Sequence, residues 1–205
     1  MATIRDQYPS TNQDSTVGLS AYHCPSRGQA FEIDANALLT ACEFYLRKDG
    51  SPAGNLFAEL YAGTGTLGTN CVGTGSALAT SANVDVATIS TSAEMVEFTF
   101  DGTYEMVAGT DYVIMLTYSG GDSTNFVRMY RDASSPTHEG NYVWYWDGWY
   151  SSATIDFIFS IWGEDPSAKS ASDSLLLKIT ESAALDTGFA LTAVQDGTHI
   201  DLSWA

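Results

Sequence analysis

The chain is short of positive charge. Eight Lys and Arg stand against 25 Asp and Glu in 205 residues, a formal net charge of −17. Phosphate binding needs a basic surface and the release of counterions at Lys and Arg contacts, so nucleic acid is excluded as a partner, and an anionic membrane surface with it. The acids run from Asp6 to Asp201 without a block, the pattern of a solubilising surface. Cysteine is also scarce. Cys24, Cys42 and Cys71 cannot all pair within one chain, and no Cys-x-x-Cys spacing offers a metal site. One bridge stays open to them, with Cys42, inside an apolar strand pattern, expected as a buried free thiol.

Long apolar runs are missing. No stretch approaches the roughly 18 apolar residues of a membrane helix, so no membrane insertion is expected. The first ten residues carry Asp6 and no apolar core, which excludes a Sec signal peptide at this position. The expectation is a chain made in the cytoplasm that, to act outside a cell, leaves by lysis, by a route without a signal peptide, or as part of a particle.

Catalytic patterns are lacking too. His23, His138 and His199 fall in an N-terminal arm, a Ser/Pro loop and a terminal hairpin, and no Gly-x-Ser-x-Gly elbow or zinc spacing exists. The Gly/Thr-rich stretch from Gly63 to Gly75 has no Lys after its glycines and no helix behind it, so it does not cradle phosphate. With no Asp-x-Asp-x-Asp-Gly loop, no cofactor is expected. A structural calcium ion on loop carboxylates is the one ion held in reserve.

What is present is β pattern. Hydrophobic residues make up 44% of the chain, aromatics 12% and charged residues 16%, enough apolar matter for a sizeable core. Gln29–Asp34, Leu38–Lys48, Asn55–Ala62, Glu94–Phe100, Thr110–Tyr118, Asn125–Arg131 and Thr154–Trp162 read as strands, separated by Gly- and Asp-Gly-rich turns. Thr110–Tyr118 is the most apolar and β-branched, the pattern of a central strand buried on both faces. Thr154–Trp162 alternates most strongly, with Ile155, Phe157, Phe159 and Ile161 on one face.

Strands this numerous with no helical period indicate an all-β antiparallel jelly-roll-like β-sandwich of about 8–10 strands. The organisation expected is an arm or first edge over 1–27, the sandwich over 28–163, a linker over 164–187 with one strand at Leu175–Thr180, and a strand pair over 188–205.

The aromatic stretch from Gly140 to Ser151 stands out. Tyr142, Trp144 and Trp146 recur at period 2, and Asp147-Gly148 suits a type I′ hairpin turn, whose central residues need φ > 0. Such a ladder is either buried by another layer or subunit or offered to a ligand. Trp144, Trp146, Trp149 and Tyr150, joined by Arg128 and Tyr130 from the preceding strand, would make a platform that stacks on sugar rings or on a protein partner.

Two resemblances follow. Phe31, Leu38-Leu-Thr-Ala-Cys-Glu-Phe-Tyr-Leu-Arg-Lys48, Gly50-Ser-Pro-Ala-Gly-Asn-Leu56, Leu78-Ala-Thr-Ser81 and Phe98-Thr-Phe100 to Ala108-Gly-Thr-Asp-Tyr-Val-Ile114 resemble the β-sandwich module of anchored bacterial surface proteins and phage structural proteins, over about 28–162. Ala190–Trp204 is similar to the first two strands of a fibronectin type III domain, which would bury Leu191, Ile200, Leu202 and Trp204. The first resemblance implies a setting on a virion or extracellular surface. The function expected is a non-enzymatic structural or adhesion subunit of a phage or similar particle, partnered by other protein subunits in a homo-oligomer or particle. The alternative is a carbohydrate-binding module of a larger surface protein or glycosidase, partnered by a cell-surface glycan.

Overall fold

The computed structural model describes residues 1–166, 191–196 and 199–204. The chain divides into one unit over Met1–Asp165 and a second over Pro166–Ala205.

The first unit is an antiparallel β-sandwich. One sheet of eight strands holds β1 (Thr3–Tyr8), β2 (Ser15–Leu19), β4 (Ala37–Asp49), β8 (Glu94–Thr99), β9 (Glu105–Met106), β11 (Phe126–Asp132), β14 (Asp156–Phe157) and β15 (Phe159–Glu164). The other, of seven, holds β3 (Ser26–Phe31), β5 (Asn55–Thr64), β6 (Val72–Thr80), β7 (Val84–Asp85), β10 (Tyr112–Thr117), β12 (Tyr142–Tyr145) and β13 (Trp149–Ser152). The chain crosses between the sheets at β2/β3, β3/β4, β4/β5, β7/β8, β9/β10, β10/β11, β11/β12 and β13/β14, the to-and-fro of a jelly roll. Within this unit helical structure is limited to two three-residue 3-10 turns, Ser10–Asn12 and Val86–Thr88.

Fifteen strands replace the eight to ten expected. Two of the extra strands come from residues 1–27, so that segment is no connecting arm: β1 pairs with β15, and β2 with β11. Its polar composition is that of edge and outward positions, with Ile4 42% exposed, while Tyr8 and Leu19 supply the buried contacts. The apolar run Thr154–Trp162 is also split. Asp156–Phe157 pairs with β11 and Phe159–Glu164 with β4, and the intervening Ile158 bonds Tyr130 and Tyr45 through its backbone.

Period 2 decides the core. Phe31, Phe44, Leu46, Leu60, Phe98, Ile114, Leu116, Met129, Phe157, Phe159 and Ile161 fill the space between the sheets. The other face of β10 and its neighbours is buried as well, in a smaller cluster of Ala30, Cys71, Val113, Met115 and Val143. β10 is therefore buried on both faces, as its apolar run requires. Cys24, Cys42 and Cys71 are all buried free thiols.

A polar clamp ties the two sheets. Gln29 of β3 is fully buried; its amide donates to Asp156 Oδ1 at 2.8 Å and its carbonyl accepts from the Phe157 N–H at 3.0 Å. Asp156 Oδ2 accepts from the His138 N–H at 3.0 Å. Burial, opposed by Gln29 and His138, leaves the Asp156 pKa above its ordinary value.

In the second unit β16 (Leu191–Asp196) and β17 (His199–Trp204) form an antiparallel pair with Leu191 opposite Trp204, the strand pair expected there. The expected strand Leu175–Thr180, and the expected burial of Leu191, Ile200, Leu202 and Trp204, lie outside the described residues.

Two outcomes follow from the clamp. Replacing Gln29 by Leu strands a buried carboxylate and a buried N–H, so Q29L is expected to lose about 2–4 kcal/mol in urea unfolding, with part recovered in Q29L/D156L, where both partners are apolar. Asp156 holds its proton to higher pH folded than unfolded, so it favours the fold below the ordinary value of 3.8 and costs stability as pH rises through the folded pKa. Apart from a constant offset, D156N should therefore gain on the natural sequence as pH rises above the ordinary value of 3.8, a trend read by urea unfolding across the acid range.

Candidate binding groove

The seven-stranded sheet is curled. Its order runs β13-β12-β3-β10-β5-β6, so β13 and β6 are opposite edges, yet they touch. The contact is Trp149 on Gly73. A methyl group at Gly73 would lie 2.4 Å from the indole Cη2, so only the bare backbone of glycine lets the ring settle there. Asn141, at the foot of β12, holds the β5–β6 loop from the other side: its amide donates to Cys71 O at 2.9 Å and its carbonyl accepts from the Cys71 N–H at 3.2 Å. The outer face of this sheet is therefore concave, with Met115 and Val143 in its floor.

The aromatic hairpin has two distinct faces. Its register pairs Tyr142 with Ser152, Trp144 with Tyr150 and Tyr145 with Trp149, leaving Trp146, Asp147 and Gly148 as a three-residue loop. The expected type I′ turn is not formed. Among the described residues no non-glycine has positive φ, and Gly148 is not among the glycines that do; instead the Trp146 N–H reaches Gly148 O at 3.3 Å. Trp146 therefore leaves the ladder and sits 53% exposed at the tip.

On the face turned toward the sandwich interior Tyr142, Trp144 and Tyr150 stack in a column, with ring centroids 4.8 and 5.4 Å apart and planes within 21° and 14°. The column starts in the core, where Tyr142 meets Phe157 edge-on, and ends at Tyr150, 44% exposed. Arg27 lies over Tyr142 and donates to its hydroxyl, and its Nε donates to Gly18 O at 3.0 Å.

On the outer face Trp149 meets Tyr145 and Tyr61 edge-on, each at 5.2 Å. These three rings flank a groove of about 320 Å³ whose other walls are Ser26, Glu59, Met115, Thr117 and Gly75. A chain of hydroxyls runs along it: the Thr117 hydroxyl donates to Glu59 Oε2 at 3.0 Å and accepts from Ser26 Oγ at 3.0 Å. Burial, and then the Glu59 carboxylate beside it, push the Tyr61 hydroxyl up to about 12, so it remains a neutral donor. The arrangement offers apolar ring faces beside a row of donors and acceptors.

No family model matches the chain. No curated protein matches it either. Among solved structures, one similar in fold holds the cysteine protease and lectin-like domains of Cwp84, a surface-layer-associated protein of Clostridium difficile, at a TM-score of 0.46 and 11% identity over 75% of this chain. This chain spans 33% of that one.

The seven residues that the sequence nominates do not form one site. Trp149 lines the groove; Tyr142, Trp144 and Tyr150 make the column on the other face; Trp146 stands at the tip. Arg128 and Tyr130 are on β11 in the other sheet and join neither surface. Alternating with the buried Val127 and Met129, they point away from the interior, Arg128 paired with Asp49 and bonded to Thr16 at 3.1 Å, Tyr130 packed on Tyr45 at 5.0 Å. The groove residues missed are Tyr145, which alternation sets on the hairpin face opposite the nominated ladder, Gly75, and Ser26, Glu59, Tyr61, Met115 and Thr117, which only strand register brings together: Met115 opposite Glu59, and Thr117 opposite Ser26. Among the described residues no helix is long and apolar enough to cross a membrane, and no three His, Cys, Asp or Glu side chains are grouped to hold a metal ion.

Adding a methyl at Gly73 must lift Trp149. G73A is expected to cost about 1–3 kcal/mol by chemical denaturation, and much less when introduced into W149A, where the indole is gone.

Proposed function

We propose that the sandwich unit is a non-enzymatic carbohydrate-binding domain that takes a saccharide into the groove between Trp149 and Glu59. The observation that carries this reading is the composition of the groove. Sugars present apolar C–H faces and a rim of hydroxyls, and they are held where aromatic rings stand next to fixed polar groups on a largely preformed concave surface. Tyr61, Tyr145 and Trp149 supply the rings; Ser26, Thr117 and Glu59 supply the polar rim. Met115, 1% exposed, and the packed cluster beneath it keep the floor rigid.

Histidine geometry supports a binding role over a catalytic one. Ser20 and His23 lie 3.0 Å apart through Oγ and Nδ1, but Ser20 is fully buried and its hydroxyl also accepts from the His23 N–H, as a turn does.

A second reading, a structural or adhesion subunit of a phage-like particle held by protein contacts, is favoured by the hairpin tip. Trp146 and Tyr150 are exposed there, and large exposed aromatics are the anchors of protein interfaces. Both readings belong at a virion or extracellular surface.

The two readings separate by mutation. With a glycan that quenches tryptophan fluorescence, W149A should weaken binding at least tenfold and W146A should leave it within about twofold. A purified chain that is oligomeric, loses that state in W146A, and shows no saturable quenching with any glycan decides for the subunit reading.

A further inference from the structure

Glu59 gives the groove a sign. It is the one charged side chain among the residues lining the groove, and no Lys or Arg is there to answer it. The nearest basic residue in sequence, Arg27, follows Ser26 on β3 and so points to the opposite face, where Tyr142 and Gly18 O engage it. From the geometry we infer that this groove selects uncharged saccharides and rejects those bearing carboxylates, such as uronic or sialic acids, with Glu59 as the residue that decides. The inference rests on the saccharide reading above and names the class of sugar.

The chemistry runs through the carboxylate's lone pairs. Two carboxylate oxygens offer about four acceptor sites. Thr117 occupies one. The remaining acceptors face a groove that holds the hydroxyl of Ser26, committed as a donor to Thr117. A sugar hydroxyl, which carries its own proton, completes Glu59. A second carboxylate brings only acceptors, and it sets like charges together in a groove where no cation compensates. Tyr61 brings no compensating charge, since burial and the neighbouring Glu59 keep its hydroxyl protonated.

The net charge of −17 would also repel anionic glycans at long range, so the test must isolate the groove. Matched pairs that differ at the carboxylate alone serve this purpose: oligogalacturonate against its methyl ester, and sialyllactose against its methyl ester, with neutral gluco-, manno- and xylo-oligosaccharides alongside. Binding to the full chain is followed by calorimetry and by tryptophan fluorescence in about 1 M salt, where the Debye length is about 3 Å. The expected result is that a neutral member binds, its charged counterpart binds at least tenfold more weakly, and E59Q closes most of that gap. The Gln side chain keeps an acceptor for Thr117, so E59Q should melt close to the natural sequence, and W149A should abolish binding of the neutral member.

Equal affinity for charged and neutral members, with both lost in W149A, overturns the selectivity and leaves the saccharide reading standing. A gap that E59Q does not narrow also overturns it, since the discrimination then lies elsewhere. Absence of saturable binding by every glycan overturns the saccharide reading itself, and this inference falls with it.

Discussion

The outer face of the seven-stranded sheet depends on one contact between its two edges, the indole of Trp149 against the bare backbone of Gly73. A β-sheet that packs on a partner sheet ordinarily leaves its other face to water. Here β10 is apolar on both sides, and no third layer is present in the unit to cover the outer side. The sheet covers itself. By bending until β13 reaches β6 it shelters Val113, Met115 and Val143, and the same bend creates the groove. Asn141 holds the lower end closed by offering Cys71 a side-chain copy of a strand's hydrogen bonds. Stability and the candidate binding surface thus share a cause, since the rings that line the groove are also the wall of a small core.

Between the sheets the constraint is different. An apolar sandwich could slide, because hydrophobic contact is non-directional. The clamp of Gln29 on Asp156 and Phe157, extended by His138 to Asp6 and by Tyr8 to Asp132, gives this end of the sandwich a directional registry. Each member is buried or nearly so and each has a partner, which is the condition under which a buried polar network specifies an arrangement instead of weakening it. It also explains why β1, polar and at an edge, is held in place: Tyr8 and Asp6 reach the loop from Asp132 to His138.

The fold was legible where one face of a strand is apolar and the other is not. Glu94–Phe100 and the stretch around Phe159 could be assigned by alternation alone, and the unbroken run at Tyr112–Leu116 announced a doubly buried strand. β1 and β2 were not legible, because outward and edge positions tolerate the Ser, Thr and Asn that also make loops. The candidate binding surface was legible only in part. Aromatic enrichment pointed to the hairpin, but a period-2 reading placed Trp146 on the ladder, whereas the three-residue loop takes it off; Trp149, outside that ladder, is the residue that enters the groove. Glu59, Tyr61 and Thr117 carry no local signal. Their proximity depends on the register of β10 against β5 and on the curl of the whole sheet, neither of which any window of sequence contains.

The contact between residues 73 and 149 also has a temporal side. Contacts between residues far apart in sequence form only after the intervening loops have been closed, and proteins rich in such pairings fold slowly. Every strand from β7 to β12 lies between Gly73 and Trp149, so the groove is complete only when this late hairpin has docked on a sheet already in register. A partly synthesised or incompletely folded chain can hold Tyr61 and Glu59 in place and still lack a wall. The wall that Trp149 supplies is thus the last part of this sheet along the chain.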